Sequence, residues 1–301
     1  MGLKLEQSKI EFRKVRDFGA LLNVTFDYIR KNFNVLFKSN LLIAGPTILL
    51  AGVFLGNYQS SLFTFDPDST LPQIGISFLL YALFSMLSYF IIMVVTYSHL
   101  MVYKNTEMSL IDVETVWQGT KSNFGMLLLT MIGFSLILGL IGVLLIGLGF
   151  YLTFQGYSFF VLIAFFGIGF VTYLLINYSL VFIIRLEESL GFFDALKRSK
   201  KLISNNWWFT FGLILVIGLI QSAITYALYI PSYVVMIFTG FAAINNEVGV
   251  FAKTLHIITS ILVSLGVLLY TTSIIATTFQ YYNLVERKEA PRLLDQIESI
   301  K

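Results

Sequence analysis

Two histidines, His99 and His256, and two adjacent carboxylates, Glu187 and Glu188, are the side chains of this sequence whose types suit proton transfer or metal binding. Their spacing argues against both. Each histidine falls near an end of an apolar run, and the two ends lie at opposite faces of a bilayer, so a shared metal is not expected. Glu187 and Glu188 follow Arg185 and precede a cationic run. Pairing with Lys197 or Arg198 is expected there rather than acid–base work. There is no cysteine, which excludes disulfides, thiol nucleophiles and cysteine metal sites. No phosphate-binding glycine loop, nucleophile elbow or zinc motif occurs. No catalytic residue, metal or cofactor is therefore expected, and an enzyme is the weakest function class.

The polar groups that remain point to lipid. Residues 186–211 read LEESLGFFDALKRSKKLISNNWWFTF. As a helix from about Leu190, this stretch puts Phe192, Leu196, Ser199 and Ile203 on one face, with Asp194, Lys197, Arg198, Lys200 and Lys201 on the other. That is the pattern of a helix lying in the membrane interface, apolar side at the acyl boundary and cations in the headgroups. Lys197, Arg198, Lys200 and Lys201, with Arg30 and Lys31, are the expected contacts to anionic phospholipid headgroups or to a partner protein. Asn177 and Gln221 fall inside apolar runs, where amides hydrogen-bond between helices.

The elements that hold these residues are membrane spans. The chain has 301 residues, 57% of them hydrophobic and only 12% charged, with mean hydropathy +0.81. A soluble domain carries about 25% charged residues. Between Lys121 and Arg185 there is no charged residue or histidine. The spacing predicts an all-α integral membrane protein with six spans, near 40–55, 74–103, 125–150, 158–184, 207–238 and 254–284. Pro46 is expected to kink the first. The third span, with Gly133, Gly139, Gly142, Gly147 and Gly149, is expected to be a central, closely packed helix. The net charge of +3 sits beside the spans and suits lipid headgroups, not nucleic acid. The first forty residues are basic and amphipathic, so no signal peptide is expected.

Nineteen of the twenty Lys and Arg fall in the termini and in the connections 104–124 and 185–206; Lys253 is the exception. The positive-inside rule then predicts cytoplasmic termini. Phe33, Phe124, Trp207, Trp208, Tyr281 and Tyr282 are the expected interfacial anchors. Amphipathic stretches near 17–34 and 104–124 resemble the one at 190–204. Together they suggest three units of interfacial helix plus helical hairpin, near 17–103, 109–184 and 190–284. A basic segment, 1–16, precedes this single membrane domain of 17–284, and a tail, 285–301, follows it. Both are expected in water.

SLVFIIRLEESLGFFDALKRSKKLISNNWWFTFG resembles the signature of the bacterial glycerophosphoryl diester phosphodiesterase membrane-domain family. The matching positions are Glu187 or Glu188, the Ala195-Leu196-Lys197-Arg198-Ser199 run and Trp207-Trp208. FGALLNVTFDYIRKNFNVLFK and FQYYNLVERKEA resemble that family's opening amphipathic helix and closing segment. The resemblance implies a bacterial inner-membrane protein of no defined activity. No segment is polar and long enough for the phosphodiesterase barrel that some relatives carry. Three function classes follow. The first is a non-enzymatic membrane protein that organises lipid or scaffolds other membrane proteins. The second is an accessory subunit of an envelope or protein-export complex. The third is a small-solute transporter, disfavoured because no charged residue falls within the spans.

Overall fold

The computed structural model describes residues 9–63, 67–244 and 249–290. The rest of the expected N-terminal segment, tail and outer loops lies outside these residues. The described chain is helical, with no strand among the described residues. The principal helices are α1 (Phe18–Ser61), α2 (Pro67–Asn105), α3 (Val113–Gly142), α4 (Leu148–Phe154), α5 (Val161–Asn177), α6 (Val181–Glu187), α7 (Phe192–Ile203), α8 (Trp207–Ile244), α9 (Val250–Ser264) and α10 (Tyr270–Glu289). They make six spans long and apolar enough to cross a membrane, and this is the architecture of a multi-pass membrane protein. In hydrocarbon every backbone donor and acceptor must be paired within the chain, and long helices achieve this.

Two of the three amphipathic stretches are not separate helices. α1 has 44 residues and so runs about 66 Å, roughly twice the hydrocarbon thickness. Its amphipathic first half and its span form one rod, because residues 20–44 contain neither glycine nor proline, and it continues through Pro46. α3 likewise runs from the second amphipathic stretch into the third span. Only α7 stands alone. Left-handed backbone brackets it, Ser189 at φ 51° before it and Asn205 at φ 67° after it. Asparagine tolerates that conformation, and Ser204 N–H and Asn206 N–H close the turn on the Lys200 and Ile203 carbonyls.

The chain forms two compact units, each discontinuous in sequence. One comprises Met1–Tyr28, Lys121–Leu215 and Ile275–Lys301; the other comprises Ile29–Thr120 and Val216–Ile274. Each draws on all three of the proposed repeats.

In the first unit α7 packs against α5 and α6. Ala195, Ser199, Leu202 and Ile203 are buried, and Ser199 Oγ donates to the Asn177 carbonyl at 2.7 Å. Phe192 seats its ring on Gly133 of α3, where an added Cβ would come within 3.0 Å of it. The apolar face of α7 is therefore spent on protein and not on acyl chains; Phe193 is the residue that faces outward. Phe12 and Arg16, ahead of α1, are packed too. Phe12 is buried among Tyr28, Phe279 and Tyr282, with ring centroids at 6.4, 5.2 and 5.2 Å. Arg16 N–H donates to Asn283 Oδ1 at 2.8 Å. The basic N-terminal segment is thus anchored on α10 at Phe12 and Arg16, while Lys9, Glu11, Arg13 and Lys14 are exposed.

The third span is peripheral, against expectation. None of its most apolar window is buried, and an added Cβ at Gly139 or Gly142 would meet nothing within 4 Å. Leu129, Leu136, Leu140 and Val143 are exposed, as a lipid-facing surface requires. Apart from Gly133 under Phe192, its glycines meet another backbone only near its far end. There a π-helical turn, Val143–Gly147, leads into α4, and Gly149 lies against Ala164.

In the second unit the glycines that matter are Gly52 and Gly56, one turn apart on α1. Added Cβ atoms there would lie 2.6 Å from Ile261 Cα and 2.5 Å from Ile257 Cα. α1 and α9 touch backbone to backbone, which only glycine permits. Beside this contact Ala44, Ile48 and Ile92 form a buried core with Leu265, Val267 and Leu268.

Candidate functional site

α7 is tied to the end of α10 by an ionic cluster in the first unit. Arg198 Nε donates to both oxygens of Glu188, at 3.0 and 2.9 Å. Its Nη2 donates to Glu289 Oε2 at 2.8 Å, and its Nη1 to Glu289 Oε1. Tyr281 OH donates to Glu188 Oε1 at 2.9 Å. Lys288 Nζ donates to the carbonyls of Lys201 and Ser204, at 2.7 and 2.8 Å. A cation at a helix C-terminus satisfies the last carbonyls and opposes the helix dipole. The hydrogen bond to Glu289, then those to Glu188, hold the Arg198 guanidinium above its ordinary pKa.

This arrangement corrects two sequence expectations. The Arg198 side chain is 18% exposed and faces two carboxylates, so it is not a headgroup contact; Lys197, Lys200 and Lys201 remain exposed. Tyr281 and Tyr282 are 4% and 1% exposed and belong to the packed interior of this unit, not to an interfacial belt. Trp208 is outward, at 77%. Trp207 stacks on Tyr173 and Phe211, at 5.7 and 5.2 Å. Phe33 and Phe124 are exposed, Arg30 is exposed and Lys31 is half-buried.

His99 and His256 are both fully buried. His256 Nε2 lies 3.1 Å from Thr239 Oγ1. No cluster of three or more potential metal ligands occurs among the described residues.

The second unit holds a cavity of about 1000 Å³. This is at the upper end of the range for small-molecule sites. Its walls come from the first, second, fifth and sixth spans. Six tyrosines line it: Tyr81, Tyr89, Tyr226, Tyr229, Tyr233 and Tyr270. Tyr89 meets Tyr270 edge to face at 5.0 Å, and Tyr229 stacks on Tyr233 at 5.8 Å. Ser85, Ser88, Ser222, Thr225 and Ser264 add hydroxyls to the wall. Ser88 Oγ is engaged by Thr47 Oγ1 at 2.9 Å, whereas Ser264 Oγ has no hydrogen-bond partner among the described residues. Gln221 fixes one wall. Its Nε2 donates to the Leu269 carbonyl at 2.6 Å, and its Oε1 accepts from Ser273 at 3.0 Å. No family model, curated protein or solved structure matches the chain.

Gln221 therefore bridges helices and lines the cavity at once. The Asn177 amide donates instead to the Tyr173 carbonyl of its own helix, at 2.8 Å, and it is the Asn177 backbone carbonyl that meets α7. The tyrosines were assigned no site by sequence reasoning, which looks for tyrosine at interfaces. One signal is present in the sequence. Tyr226, Tyr229 and Tyr233 recur at i, i+3 and i+7, which is one face of a helix. Gln221 lies 14 residues from the start of α8, about 21 Å along its axis, far from a helix end.

Proposed function

We propose that this chain is a non-enzymatic protein of the bacterial inner membrane that binds and organises lipid. The observation that carries the reading is the cavity, a roomy site of aromatic faces and hydroxyls walled by four spans. Its rim supports entry from the bilayer, since Tyr89, Tyr226, Tyr233 and Tyr270 are exposed along the apolar spans. The clustering of cations at the termini and even-numbered connections supports cytoplasmic termini. The exposed Lys197, Lys200 and Lys201 suit the anionic headgroups of that leaflet. The family resemblance of residues 179–212 belongs to the same proposal.

Native mass spectrometry of the protein purified in mild detergent tests this reading. A lipid adduct of about one per chain, reduced in a Tyr226→Leu/Tyr233→Leu variant, is the expected result. A chain that carries no amphiphile from any membrane would overturn it. The same cavity supports a second reading, transport of a small neutral solute, which requires solute flux in proteoliposomes.

A further inference from the structure

The chemistry of the cavity wall limits its guest. Among the described residues, no Asp, Glu, Lys, Arg or His lines it. A bare ammonium or phosphate held there would have no counter-charge, and the cost of an unpaired charge away from water is several kcal/mol or more. The polar groups present are hydroxyls and one amide. Hydroxyls donate and accept alike, so they match a guest whose own groups do both. The Gln221 amide offers a second N–H beyond the one given to Leu269. The rest of the wall is the six tyrosines with Ile48, Ala51, Met86, Val263, Val267 and Leu269; tyrosine, apolar in the body and polar at the tip, suits a ring carrying C–H faces and hydroxyl edges.

We propose that this cavity takes the uncharged, polyhydroxylated headgroup of a lipid, such as a glycosyl diacylglycerol, with the acyl chains leaving through the tyrosine rim. The inference rests on the lipid-binding reading above and names the class of lipid. Tyr226 and Tyr233, both exposed at the rim, flank the exit, and the hydroxyls of Ser85, Ser222 and Thr225 meet the headgroup.

The experiment is a competition. The purified full-length protein is incubated with equal amounts of monoglucosyl diacylglycerol, phosphatidylglycerol and phosphatidylcholine of the same acyl chains, and the retained lipid is weighed by native mass spectrometry. The expected result is at least a five-fold enrichment of the glucosyl lipid over both phospholipids. Enrichment should fall to near one-fold in Tyr226→Leu/Tyr233→Leu and in Ser85→Ala/Ser222→Ala. Tyr157→Leu, an equally exposed tyrosine of the other unit, should leave it unchanged. Rim residues are exposed, so these variants are expected to fold, and equal elution in size-exclusion chromatography checks that they do. Preferential retention of either phospholipid, still sensitive to the cavity variants, would overturn the headgroup assignment and leave the lipid-binding reading standing. Retention of no lipid would overturn both. Displacement of the glucosyl lipid by millimolar free glucose would move the guest to a soluble sugar and overturn the lipid source. Enrichment indifferent to every cavity variant would place the lipid elsewhere and overturn the site.

Discussion

The Arg198 guanidinium spans the gap between α7 and α10, with Glu188 bound through Nε at 2.9 and 3.0 Å. The opposite edge of the same group holds Glu289. One cation thus neutralises two carboxylates from different elements, with most of its side chain shielded from water. Hydrogen bonds to charged groups contribute about 1.5–3 kcal/mol each when partly buried. Arg198→Gln is expected to lower the stability of the protein in detergent by about 2–4 kcal/mol, since it leaves Glu188 beside Tyr281 without its cation. Arg198→Lys should recover little, because an ammonium cannot make both bidentate contacts. Arg198→Gln/Glu188→Gln should be less destabilised than the sum of its parts, and a fluorescence melt of the four proteins reads this directly.

Backbone contact between α1 and α9 makes a second expectation. Gly52→Ala and Gly56→Ala each place a methyl on the backbone of α9, and overpacking of this kind costs about 1–3 kcal/mol. At about 2–4 °C per kcal/mol, the melting temperature should fall by several degrees. Gly139→Leu and Gly142→Leu add side chains to an open surface and should leave it within a degree or two. Equal effects at all four positions would contradict the packing of both helices.

Orientation is open to a chemical test on an otherwise cysteine-free chain. Val250→Cys and Lys200→Cys both introduce thiols at exposed positions. An impermeant maleimide added to intact cells should label Val250→Cys and spare Lys200→Cys until the membrane is opened. The reverse pattern would invert the proposed topology.

α3 opens on a reciprocal cap. Thr115 N–H donates to Asp112 Oδ1 at 2.8 Å, and Asp112 N–H donates to Thr115 Oγ1 at 3.1 Å. The backbone bond from Thr115, with its hydroxyl next, holds the Asp112 carboxyl below its ordinary pKa. A lowered folded-state pKa means the cap contributes above the ordinary carboxylate range and is lost as pH falls through the depressed value. The Thr115 amide shift should therefore titrate at lower pH than free aspartate, and Asp112→Asn should abolish that titration.

Much of the fold is written in the apolar runs. Each expected span lies inside an observed one, because uninterrupted apolarity of this length has one solution in a bilayer. Which face of each helix meets protein is less legible. Glycine content pointed to the third span, yet Gly139 and Gly142 face outward while Gly52 and Gly56 make the contact. Composition counts glycines without regard to what stands opposite them. Periodicity likewise gave α7 an apolar face without telling protein from lipid, since both accept Phe192, Leu196 and Ile203. The cavity was least legible. Its tyrosines are spread over 189 positions from Tyr81 to Tyr270, and only the packing of four helices brings them together.

The order in which those four helices are made sets a schedule for the site. Ile48, Tyr81 and Tyr89 belong to the first two spans to leave the ribosome, whereas Tyr226 and Tyr270 belong to the last two. At about 5–20 residues per second, the 181 residues from Tyr89 to Tyr270 take roughly 10–40 s to synthesise. During that interval one half of the wall stands in the bilayer without the other. Ser88 is already satisfied by Thr47 and the Phe84 carbonyl, whereas Ser85 and Tyr89 stand without the facing wall. Chains released before the sixth span lack Val263, Val267, Leu269 and Tyr270 and so never close the wall.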